Sequence, residues 1–174
     1  MLDYLRKNLL QGLKTPPWHA PLKAWLPFPV FAVFSVTLGL GTGLYQPGVL
    51  ESSLFWFLPL SLIVFPSLLE EAFFRGILIP RDAASKGRVK AVMAITVSTL
   101  IFVLWHPFNA LLFNEMALGI FLDPVFLVIV AALGLSCAYA YIKSGSLWLP
   151  IIMHWATVVV WVLFLGGRNL ILEI

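Results

Sequence analysis

Apolar residues fill most of the chain in long runs, near positions 25–45, 54–79, 90–113, 120–142 and 147–165, with short polar or Pro/Gly-bearing breaks between them. A bilayer core of about 30 Å takes roughly 20 apolar residues of helix, so each run reads as one transmembrane span. Residues 1–24 follow another pattern. Leu2, Leu5, Leu9, Leu10 and Leu13 recur among polar neighbours until Pro16 and Pro17 close the stretch. That spacing fits an amphipathic segment lying at the membrane interface, or a disordered lead. With no internal repeat and no low-complexity linker, residues 25–174 read as one domain. The expected fold is an all-α, polytopic transmembrane helical bundle of about five spans behind an N-terminal interfacial segment.

Composition narrows the function. The 174 residues are 61% hydrophobic and 11% charged, and the mean hydropathy is +0.98. Eleven Lys and Arg against eight Asp and Glu give a net charge of +3, but the basic residues form no stripe that tracks a phosphate backbone, so nucleic acid is not an expected partner. The lone Cys137 makes no intrachain disulfide and no cysteine-type zinc site. The first 24 residues lack an uninterrupted apolar core and a small-residue cleavage pattern, so the N-terminus is expected to be retained.

Loop charges alternate. Arg6, Lys7, Lys14 and Lys23 precede the first run, residues 47–53 carry no basic group, and Arg81, Lys86, Arg88 and Lys90 follow the second run. Residues 109–119 again carry none, Lys143 ends the fourth run, and only Arg168 falls on the other side. Because cytoplasmic loops hold most Lys and Arg, the N-terminus is expected in the cytoplasm and the C-terminus outside. Gly39-x-x-x-Gly43 and Gly134-x-x-x-Ala138 are candidate close helix contacts.

The candidate chemistry lies in ionisable residues inside the spans, each of which costs at least ~2.5–3.5 kcal/mol unless paired, hydrated or functional. These are Glu70, Glu71 and Arg75 on the second span, His106 on the third and His154 on the fifth. His19 falls in the surface segment. Glu71 and Arg75 are spaced i to i+4 with the acid N-terminal, the favourable order for a pair. Glu70 is rotated about 100° from Glu71 and is free to face another helix. Thr99, Phe102 and His106 share a face, and Pro107 is placed to kink or end that helix. Each residue also has a structural reading: an anchoring acid/base cluster for the second span, an interfacial cap beside Trp105 and Asn109 for His106, a hydrogen-bonded core histidine for His154. Two acids, an arginine and two histidines on three spans together point to one shared polar site. Straight, centred spans would leave Glu70 and His106 roughly 12 Å apart in depth, a gap that tilt, the Pro107 bend or shifted helix ends must close.

At these residues the sequence resembles the CAAX prenyl protease and bacteriocin-processing family of intramembrane glutamic proteases, also called CPBP or Abi. The family motif Glu-Glu-x-x-x-Arg is matched by Glu70, Glu71 and Arg75, and Phe-x-x-x-His by Phe102 and His106. Its third motif, a histidine followed four residues later by Asn or Asp, is met by His154 but ends in Val158. The resemblance implies hydrolysis of a peptide bond by an activated water, with no cofactor and no covalent acyl-enzyme. Glu70 would be the general base and His106 would help hold the water. His154 would stabilise the oxyanion, with Thr157 as a substitute donor for the missing Asn or Asp, while Glu71 and Arg75 would fix the helix and tune Glu70. The implied partners are the bilayer and a membrane-embedded protein or peptide, such as a prenylated protein, a leader peptide or a C-terminally anchored sorting tag. The chain's compactness suggests a bacterial cytoplasmic membrane. Competing readings are a zinc protease, though no His-Glu-x-x-His is present, and a rhomboid-type serine protease using Ser136 and His154. A non-catalytic immunity or scaffold protein and a transporter also remain open.

Overall fold

The computed structural model describes residues 2–167; Arg168 lies outside them, as do the side chains of Leu2 and Leu5. The chain is an all-α membrane helical bundle. Helix α1 spans Leu2–Lys14, α2 Leu22–Gly41, α4 Arg88–Leu112, α6 Pro124–Ser144 and α7 Trp148–Phe164. Between α2 and α4 lies an irregular helix, α3, over residues 58–77, and a short α5, Leu118–Phe121, precedes α6. Of these, α2, α4 and α6 are long and apolar enough to cross a membrane, and α7 is a shorter apolar helix. Exposed Val89, Met93, Val97, Leu100, Leu104, Phe108 and Leu111 recur at helical spacing along α4, so an apolar stripe faces outward where lipid is the natural solvent.

Helix α6 sits at the centre, packed by α2, α4 and α7. Its ends follow from local chemistry. Asp123 Oδ1 accepts hydrogen bonds from the amides of Val125 (2.7 Å) and Phe126 (3.1 Å), Pro124 occupies the first turn, and Gly145 closes the other end at φ 66°. Gly134 lets α6 approach α4 closely: a Cβ there would lie 3.0 Å from Thr99 Cγ2 and 3.1 Å from Phe102 Cδ1. The small-residue motif of α6 is thus a helix crossing. That of α2 is not, because Gly39 accommodates the ring of Tyr45 from the following loop and Gly43, at φ 76°, ends the helix.

Within the N-terminal segment, helix α1 is docked on the rest of the bundle. Its last turn is capped from the loop between α6 and α7. Gly12 O accepts from Leu147 N (3.0 Å), Leu13 O from Trp148 Nε1 (2.7 Å) and Thr15 O from Ser146 Oγ (2.6 Å). Those bonds satisfy carbonyls that a helix end leaves open. Against α3 the same helix meets Gly76, where a Cβ would lie 2.6 Å from Leu9 Cδ2.

Candidate active site

Helix α3 carries the acidic motif and is built unlike its neighbours. Pro66 lies inside it, removing one backbone donor, and the residue before it, Phe65, is extended at φ −129°, ψ 120°. The helix is therefore kinked at Phe65 and Pro66, and a wide π-type turn over Ala72–Ile77 follows the single α-turn Leu69–Glu71. Wide turns of this kind are frequent at functional sites. Here the kink precedes Glu70 and Glu71 and the wide turn follows them.

Glu71 and Arg75 are fully buried and paired, Arg75 Nη1 donating to Glu71 Oε1 at 2.9 Å. Arg75 Nη2 donates to the Gly134 carbonyl of α6 at 3.1 Å, and the guanidinium lies 4.5 Å from the centre of the Phe102 ring of α4. One arginine therefore ties three helices together. The same Glu71 oxygen accepts from His154 Nδ1 of α7 at 2.8 Å. Since a carboxylate oxygen only accepts, Nδ1 carries the hydrogen. His154 Nε2 has no bond to the described residues.

His106 is oriented in a parallel way. Its Nδ1 donates to the Phe102 carbonyl at 2.9 Å, which again leaves Nε2 as the working nitrogen. The ring is buried among Phe102, Phe121 and Phe126. Pro107 does not end the helix, which continues to Leu112. Glu70 is half-buried. Its Oε1 accepts from Trp105 Nε1 at 3.1 Å, and its Oε2 is buried with no partner.

The expected depth gap is closed by register. The hydrogen bonds Trp105 to Glu70 and Ser98 Oγ to the Phe74 carbonyl (2.7 Å) seat the C-terminal half of α3 against the stretch of α4 from Ser98 to Trp105, so the two helices are offset instead of centred on each other. Glu70, His106 and His154 then line one cavity of about 230 Å³ with Tyr45, Asn109, Asn114 and Thr157. Val158 is in the same wall. Thr157, the substitute oxyanion donor, spends its hydrogen on the Met153 carbonyl at 2.8 Å. Ser136 likewise donates to its own helix, at the Ala132 carbonyl (2.8 Å), and makes no bond to His154.

A family model, type II CAAX prenyl endopeptidase Rce1-like, matches residues 52–160, a stretch that runs from just before α3 into α7 and contains all five ionisable site residues. The chain belongs to the Rce1-like family. No curated protein and no solved structure matches it. Membership makes this a CAAX-type intramembrane endopeptidase in general terms, in agreement with the resemblance carried by its motifs.

In this Rce1-like protein, sequence reasoning overlooked Trp105 as a partner of Glu70, Asn109 and Asn114 as chamber residues, and Phe102 as the ring on which Arg75, His106 and His154 converge. A signal existed for three of them. Phe102, Trp105, His106 and Asn109 fall at i, i+3, i+4 and i+7, one stripe of a helix.

Proposed function

We propose that this protein is an intramembrane endopeptidase that hydrolyses a peptide bond of a membrane-associated peptide or C-terminally anchored protein, using a water activated by Glu70 and His106. The observation that carries this reading is the shared cavity, in which a carboxylate and two imidazoles from three separate helices face one space. Glu70 Oε2 and the Nε2 of a neutral His106 are both acceptors, so together they can take both hydrogens of one water and turn its lone pair towards a carbonyl carbon. Glu70 then removes the proton as the water attacks. His154, when protonated on both nitrogens, donates from Nε2 to the developing oxyanion while Glu71 holds Nδ1. Arg75 and Glu71 keep the α-turn of Glu70 seated against α4 and α6.

The chamber is small and mostly apolar in lining, which suits a peptide segment arriving from the bilayer. With basic loops on the cytoplasmic side of an inner membrane, the N-terminus is cytoplasmic. The chamber, bounded by the ends of α2 and α4, then lies in the outer half of the bilayer.

The decisive experiment co-expresses wild type or Glu70→Gln with tagged candidate membrane proteins and compares their sizes by immunoblot and mass spectrometry. A shortened product with wild type alone supports proteolysis and locates the cut. Cleavage that survives Glu70→Gln overturns the proposed base, and cleavage abolished by a chelator moves the mechanism to a metal-bound water. Val158, where the family motif has Asn or Asp, favours the second reading, a non-cleaving scaffold. Under that reading neither protein shortens any candidate.

A further inference from the structure

Two spaces meet at Glu70. One is the chamber; the other is an apolar groove of about 510 Å³ on the outer surface between α3 and α4. Its walls include Leu69, Phe73, Leu104 and Phe108, all exposed on the face turned to lipid. Three residues line both spaces: Phe65, Glu70 and Trp105. Across that seam the Trp105 indole from α4 donates its only hydrogen to Glu70 from α3. The indole is braced on its own helix side by Phe108 and Phe113, with ring centres at 6.0 and 6.4 Å.

Taking Glu70 as the base, as above, we propose that Trp105 is both a positioning residue for that carboxylate and a gate between bilayer and chamber. The N–H engages Oε1 and leaves Oε2 for water. The planar ring stands in the seam, so an apolar substrate segment in the groove passes into the chamber, towards the buried Oε2 and the two histidines, only when the indole swings aside. A group that acts through one hydrogen bond and its bulk makes two separable demands. Trp105→Phe removes the N–H and keeps most of the ring; Trp105→Ala removes both.

The test uses the full chain in proteoliposomes, with Val130→Cys as a probe on the buried α6 wall of the chamber and the native, fully buried Cys137 as background. N-pyrenylmaleimide dissolved in the bilayer labels the probe, and mass spectrometry follows the rate. Loss of one charge-assisted hydrogen bond should raise labelling about tenfold in Trp105→Phe and further in Trp105→Ala. Unchanged labelling in Trp105→Phe, which retains an aromatic core side chain, overturns the gate. For the positioning role, the infrared carboxylate band isolated by subtracting Glu70→Gln should shift in Trp105→Phe; an unmoved band overturns it. Neither readout requires turnover. If Glu70→Gln still cleaves substrate, the catalytic reading fails while these two results stand or fall separately.

Discussion

Glu71 and Arg75 are paired in a fully buried site, and that sets a measurable coupling between them. Both side chains are 0% exposed, and the guanidinium has the Glu71 carboxylate, the Gly134 carbonyl and the Phe102 ring as its partners. Glu71→Gln keeps an amide oxygen able to accept from His154 but removes the countercharge, leaving a buried cation; breaking such a pair costs about 3–5 kcal/mol. Arg75→Met leaves the carboxylate uncompensated to a similar extent and also strips the Gly134 carbonyl of its donor, about 1–3 kcal/mol more. The double variant buries no net charge. Its cost should therefore fall short of the sum of the single costs by about 2–3 kcal/mol. Reversible unfolding of all four proteins in mixed micelles, followed by far-ultraviolet circular dichroism across an SDS titration, reads the cycle. Additivity to within about 0.5 kcal/mol would refute the argument, because it would mean that neither charge depends on the other.

Other expectations follow from the same contacts. Gly134→Leu should destabilise the bundle by about 1–3 kcal/mol, since its side chain meets Thr99 and Phe102 at the α4–α6 crossing, and the unfolding assay would register it. Thr157→Val should leave kcat near wild type, because its hydroxyl hydrogen is already spent on the Met153 carbonyl; a loss of about 10-fold or more would show that hydroxyl acting as an oxyanion donor. Val158→Asn, which restores the family residue on the chamber wall, should retain or increase turnover, and complete loss would argue that His154 is used differently here. Asn114→Cys in intact cells should react with a membrane-impermeant thiol reagent added outside, whereas protection there with reaction in inverted vesicles would reverse the orientation.

The sequence alone was enough for the membrane class, the helical segments, the pairing of Glu71 with Arg75 and the family, because those depend on local periodicity and on residue chemistry at fixed spacing. Hydrophobic runs of span length have few other solvents than lipid, and i to i+4 neighbours meet on any helix. It was not enough for the partners of Glu70 and the two histidines. His154 reaches Glu71 across 83 positions, and Trp105 reaches Glu70 across 35. Such contacts depend on how helices slide and rotate against one another, which a period of 3.6 residues does not specify. The same limit hid the offset of α3 against α4. Reading each run as a centred, regular helix set Glu70 and His106 at different depths, while the kink at Phe65 and Pro66, the wide turn after Glu71 and the bonds to Ser98 and Trp105 accompany an offset that brings the two into one chamber. Residue types named the chemistry, and the packing of α3, α4 and α7 around Phe102 decided which atoms can perform it.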